Sequence, residues 1–152
     1  SIENLCEKIK AGKKELRTDE FMIIARIESL ILERGVEDAL NRARAYVGAG
    51  ADGIMIHSRK KSPDEILEFC HKFRHENTQT PIVVVPTSFN SITEEELAAA
   101  GVNIVIYANQ LTRSAFPAMQ STAVEILRNH RALEVDSRLM PFKDIIRLID
   151  EI

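Results

Sequence analysis

The sequence predicts an α/β fold of parallel βα units, on three observations. Four short runs rich in β-branched and apolar residues begin near positions 21, 53, 81 and 103. Each is followed by a segment with the spacing of an amphipathic helix. The runs are apolar throughout rather than alternating, as strands covered on both faces are, and parallel neighbours need a crossover that a helix supplies. Four units fall short of a closed (β/α)8 barrel, which takes ~200 residues or more. They make either half a barrel or a small open doubly wound sheet. No linker, repeat or low-complexity tract divides the 152 residues, so one domain over 1–152 is expected.

An N-terminal helix precedes the first unit: Ile2, Leu5, Cys6 and Ile9 form one stripe, Ser1 caps it, and Gly12 is expected to stop it. The first unit pairs a strand over Phe21 to Ile27 with a helix carrying Val36, Leu40, Ala43, Tyr46 and Val47, which ends at Gly48 to Gly50. In the second, Gly53 to His57 leads to a helix with Ser62 as cap, Pro63 in its first turn, and Ile66, Phe69, Cys70 and Phe73 as its buried face. The third joins Ile82 to Val85 with a short helix opened by a Thr93/Glu96 capping box and closed at Gly101. The fourth joins Asn103 to Tyr107 with a helix from about Thr112 to Arg128. A last helix runs from Pro141 to Ile152, and Phe142, Ile145, Ile146, Leu148, Ile149 and Ile152 exceed one stripe, so it should be buried on more than one face.

Composition narrows the function classes. The chain is 45% hydrophobic and 28% charged, with 20 Lys+Arg against 23 Asp+Glu, enough for one globular core and without the basic excess that a nucleic-acid partner requires. The longest apolar stretches are far below the ~20 residues of a membrane helix. Cys6 and Cys70 both fall in helical patterns, with no hydrophobic leader ahead of them, which fits a reducing cytoplasm rather than a disulfide framework. The chain opens on Ser1 rather than Met, as a part of something longer would.

In parallel α/β folds chemistry collects where strands end, because every strand points its carboxyl end at the same side. Here those ends are Arg26-Ile27-Glu28, His57-Ser58-Arg59, Pro86-Thr87-Ser88 and Tyr107-Ala108-Asn109-Gln110. Side chains alternate along a strand, so Arg26 and Glu28 share one face and His57 can converge with Arg26. An arginine there needs an anionic partner: either an oxyacid substrate or an internal acid such as Glu28. His57 is either a reactive imidazole or a core histidine bonded to a carbonyl, and Thr87 and Asn109 are as readily turn formers.

Three patterns read as decoys. Gly48 to Gly53 spells G-x-G-x-x-G but follows a helix and precedes a strand, the reverse of a dinucleotide site. Cys70, His71 and His75 have zinc-like spacing, yet the two histidines lie off the apolar stripe. Glu94 to Glu96 opens a helix, where negative charge suits the macrodipole.

Four strings are more specific than these periodicities: Phe21 to Ser29 with its Ala25-Arg26-Ile27-Glu28 core, Gly50 to Lys61 around Met55-Ile56-His57-Ser58-Arg59-Lys60, Val83 to Thr87, and Val105 to Asn109. In order and spacing they resemble the phosphoenolpyruvate mutase branch of the isocitrate lyase/phosphoenolpyruvate mutase superfamily. The resemblance implies that the chain is the second half of a (β/α)8 TIM-type barrel with a C-terminal helix. It implies an isomerase that interconverts phosphoenolpyruvate and phosphonopyruvate with Mg2+, or alternatively a phosphonopyruvate hydrolase or a non-catalytic half-barrel that binds a partner. By the same resemblance, Arg26 and His57 are expected to take catalytic and substrate-binding roles, Ser58 to assist in binding, and Glu28 to lie in the outer sphere of the metal. The inner-sphere carboxylates, the nucleophilic aspartate and the gating loop belong to the first half, so the chain alone is expected to be inactive. A homo-oligomer that exchanges its C-terminal helix is implied as well.

Overall fold

The four apolar runs form one parallel sheet in the order β1-β2-β3-β4, comprising β1 (Ile24–Ile27), β2 (Gly53–Ile56), β3 (Ile82–Val84) and β4 (Ile104–Val105). The computed structural model describes residues 1–150, with side chains through residue 148. The helices are α1 (Ile2–Glu15), α2 (Gly35–Gly48), α3 (Asp64–Glu76), α4 (Glu94–Ala99), α5 (Gln110–Asn129) and α6 (Phe142–Asp150), with a 3-10 turn over Leu133–Arg138. The chain divides into two units, Ser1–Ala108 and Asn109–Ile152.

Within Ser1–Ala108 the helices cover one face of the sheet. Ala25, Ile27, Ile54, Ile56, Ile82 and Val84 share a core with Leu40 of α2, Phe69 and Phe73 of α3, and Leu97 of α4. The other face carries, in register, Arg26, Met55, Val83 and Ile104. Ile104 and Ile106 are exposed there. One-sided cover separates half a barrel from an open doubly wound sheet, which has helices on both faces.

Several local expectations shift. Helix α1 runs past Gly12 to Glu15; a Cβ on Gly12 would stand 3.0 Å from Ile23 Cδ1, so the glycine permits close packing on the approach to β1 rather than ending the helix. The first strand is shorter than its apolar run, because Phe21 and Met22 lie outside the sheet and are exposed. Strand β4 pairs with β3 over only two residues, Ile104 and Val105. Pro63 stands just ahead of α3, and Ser62 Oγ still accepts from Asp64 N at 3.3 Å. The Thr93/Glu96 capping box is present, and Gly101 takes φ +91° after α4. The Gly48 to Gly53 segment is a helix-to-strand turn, with Gly50 at φ +103°.

In Asn109–Ile152, α5 extends over 20 residues with none buried. Phe142, Ile145, Ile146 and Leu148 of α6 are likewise exposed in the single chain, and the expected burial on more than one face belongs to exchange of this helix with a second copy. Ile149 and Ile152 of that pattern lie outside the described side chains.

Candidate active site

Strand β1 ends at Ile27 and β2 at Ile56, so Glu28 and His57 are the first residues past two neighbouring strand ends, with Arg26 one step back on the same face as Glu28. Arg26 Nη2 lies 2.6 Å from His57 Nδ1, and Arg26 Nε–H donates to the Glu28 carboxylate. Glu28 Oε1 is 3.8 Å from His57 Nδ1. A guanidinium can only donate, so Nδ1 must offer its lone pair and the imidazole proton sits on Nε2. Burial, then the Arg26 charge, lowers the His57 pKa below its ordinary 6.5, with Glu28 opposing. At neutral pH the ring is therefore uncharged and presents Nε2–H as a donor.

The Arg26–Glu28 pair anticipated as the internal alternative is present, and it is half open to water, with side-chain exposures of 50% and 39%. An ion pair in that setting contributes about 0–1 kcal/mol, so an anionic ligand can take the place of Glu28 on the guanidinium at little cost. Donors from Arg26 and His57 then face one phosphoryl or carboxylate group together.

The other sequence candidates divide. Ser58 is fully buried; its hydroxyl donates to Glu65 of α3 and accepts from Lys60 N at 3.0 Å, so it is engaged away from Arg26 and His57. Thr87 sits in a turn, its N–H donating to Val85 O at 2.8 Å. It lines a cleft of about 560 Å3 with Arg59, Lys61, Ser88, Asn90 and Ser91. Asn109 precedes α5 without a side-chain cap bond, and the Tyr107 hydroxyl donates to Glu94 at 2.8 Å. Cys70 is sealed in the core with its thiol pKa pushed up to about 12 by burial, while His71 and His75 are on the exposed side of α3. Among the described residues, no three His, Cys, Asp or Glu side chains gather closely enough to hold a metal ion. Glu28, already occupied by Arg26, does not by itself make a magnesium site. Sequence reasoning passed over Ser29, Asp38 and Glu65, although a serine directly follows the site residue in both loops.

The model of the phosphoenolpyruvate phosphomutase family matches residues 1–127. The chain belongs to the phosphoenolpyruvate mutase family. It is 35% identical to the phosphoenolpyruvate phosphomutase of Tetrahymena pyriformis over 99% of this chain and 49% of that protein. It is 41% identical to the phosphonopyruvate hydrolase of a Variovorax strain, over 97% of this chain and 50% of that one. Among solved structures, the phosphoenolpyruvate phosphomutase of Streptomyces platensis superposes with TM-score 0.92 at 37% identity, over 99% of this chain and 52% of its own. A phosphonopyruvate hydrolase crystallised with oxalate and Mg2+ gives TM-score 0.89 at 40% identity, over 99% of this chain and 53% of its own. The chain spans about half the length of the relatives it matches, so what it holds of the mutase-family fold is half of a TIM-type barrel, as the one-sided sheet requires.

Proposed function

We propose that this chain forms the C-terminal half of a phosphoenolpyruvate mutase barrel, in which the phosphoryl group of phosphonopyruvate moves from C3 to the enolate oxygen to give phosphoenolpyruvate. The carbon–phosphorus bond breaks, the oxygen–phosphorus bond forms, and no water is consumed. The observation that carries the reading is the Arg26–Glu28–His57 cluster at adjacent strand ends on the uncovered face. Phosphoryl transfer depends mainly on positioning and charge stabilisation. Arg26 contributes a permanent positive charge and forked donors to the phosphoryl oxygens. His57 contributes a neutral Nε2–H donor, which stabilises charge without releasing a proton. Ser58, expected to help bind substrate, acts in this reading through the loop that carries His57. Mg2+ would polarise the pyruvate oxygens, and in this reading the groups that hold it come from the other half of the barrel.

A second reading, phosphonopyruvate hydrolase, is favoured by the 41% identity to a hydrolase, as high as that to the mutases. There the same phosphoryl group passes to water, giving pyruvate and phosphate. Phosphorus NMR of phosphonopyruvate with Mg2+ and a complete barrel containing this chain tests both. Phosphoenolpyruvate without free phosphate is the expected result, phosphate with pyruvate selects the hydrolase, and unchanged substrate removes both. Residues 1–152 alone are expected to leave the substrate unchanged.

A further inference from the structure

The two loops that carry the cluster are tied down in the same way. After Glu28, Ser29 is buried and its hydroxyl donates to Asp38 Oδ2 of α2 at 2.6 Å; Arg42 Nε donates to the same oxygen at 2.7 Å. After His57, Ser58 is buried and its hydroxyl donates to Glu65 of α3; Lys60 Nζ pairs with the other Glu65 oxygen at 2.5 Å. In each loop the residue following the site residue turns inward, meets a carboxylate near the start of the next helix, and that carboxylate is held by a cation. The two ties differ in sequence spacing and in the origin of the cation, so they are separate constructions of one device. Neither is demanded by the sheet, whose paired residues end at Ile27 and Ile56.

We infer that Asp38 and Glu65 are positioning residues, which through Ser29 and Ser58 fix the first turn of each loop so that Arg26, Glu28 and His57 meet. The physical reason is leverage. Glu28 and His57 stand one residue past their strand ends; a contact as short as Arg26 Nη2 to His57 Nδ1, 2.6 Å, tolerates little drift of the loop that carries His57, and the Arg26 guanidinium, on paired strand β1, is oriented by Glu28 on the other loop. A buried hydroxyl bonded to a carboxylate supplies that constraint, because breaking it would leave polar groups unsatisfied inside the protein. The Ser58 oxygen also accepts Lys60 N–H, so one hydroxyl pins the loop backbone and the helix together. This inference rests on the proposed site, although its test needs no substrate.

The test reads the His57 ring by nitrogen-15 NMR at pH 8, where the intact contact holds Nδ1 unprotonated in a single tautomer. Glu65→Ala and Asp38→Ala are expected to give averaged ring shifts of a free imidazole, and Ser58→Ala and Ser29→Ala, which leave less disturbance should the acid variants fail to fold, the same in weaker form. Glu65→Gln, which still accepts from Ser58, keeps the single tautomer. Leu97→Ala, a core truncation in α4, lowers the melting temperature and leaves the ring signal unchanged. If the serine and acid variants retain the single tautomer while only melting falls, as in Leu97→Ala, the positioning role is overturned. That outcome is independent of whether the barrel proves to be a mutase or a hydrolase.

Discussion

Arg26 and His57 lie outside the buried apolar core, and the proposed function gives them to the ligand. Arg26 faces the uncovered side of the sheet, and its partners are a half-exposed acid and an imidazole. Replacing either by alanine in the complete barrel is expected to reduce turnover by about a hundredfold, the scale of losing one preorganised donor at a developing charge. The same changes should move folding stability by less than about 1 kcal/mol, as exposed ion pairs do. Steady-state kinetics beside thermal melting decides the matter, and near-normal turnover in either variant removes the site assignment. Gly101 is a contrasting residue: it adopts φ +91°, and a Cβ there would stand 2.6 Å from Arg74 Cγ. Arg74 itself is spent on the carbonyls of Gly101, Asn77 and Thr80. Gly101→Ala should therefore destabilise by about 1–3 kcal/mol, measured by urea unfolding, with no effect on ligand binding.

At the scale of elements, Asp52 joins three pieces of chain. Its carboxylate accepts from Ile23 N at 2.7 Å, at the approach to β1, and from Lys13 of α1 at 2.9 Å, while Asp52 itself leads into β2. The Ile23 amide, then Lys13, holds its pKa below the ordinary 3.8. A carboxyl whose folded pKa is depressed stabilises the fold above its unfolded value and loses that contribution as pH falls through the folded one. Acid unfolding below pH 3.8 should therefore be shallower in Asp52→Asn than in the native chain, and equal slopes would show that the tie carries no linkage. Asp52 also illustrates what could be read in the sequence. The helix-to-strand turn around it was legible from glycine placement and order, whereas the bond to Ile23 depends on a partner 29 residues away. The strands were legible because β-branched runs survive any context. Their lengths were not, since Phe21, Met22 and the residues around β4 lack the neighbours that would extend the sheet. Gly12 misled because packing against Ile23 outweighs its weak helix propensity. Ser58 was legible as important but not in direction, because a hydroxyl next to a site residue can turn either way.

At the largest scale, the dominant fact is that the helices of residues 1–108 cover only one face of their sheet. Ile104 and Ile106 lie open on the other, and β1 and β4 are both edges of the sheet. Apolar area and free strand edges of this kind favour association. Phe142, Ile145, Ile146 and Leu148 of α6 add a second apolar surface. Residues 1–152 should sediment as dimers or larger species at micromolar concentration, and a well-behaved monomer would contradict this. In the complete barrel, the α6 surface predicts a homo-oligomer in which that helix is covered by a partner subunit. Shortening the chain before Phe142 should then release monomers.

The strand order has a kinetic corollary. Each strand pairs with the next one in the chain, and the joined positions, Ile24 with Gly53, Ile54 with Ile82 and Val83 with Ile104, are 29, 28 and 21 residues apart. Loop closure over such spans costs little more for one pair than for another, and no pairing must wait for a distant part of the chain. The sheet can therefore assemble one βα unit at a time in the direction in which a ribosome delivers it, each new strand finding a finished edge. Pulse-labelled hydrogen exchange during refolding should show protection at β1 and β2 before β4, whose two residues have only β3 to hold them. Simultaneous protection of all four strands would mean instead that the half-barrel condenses in a single step.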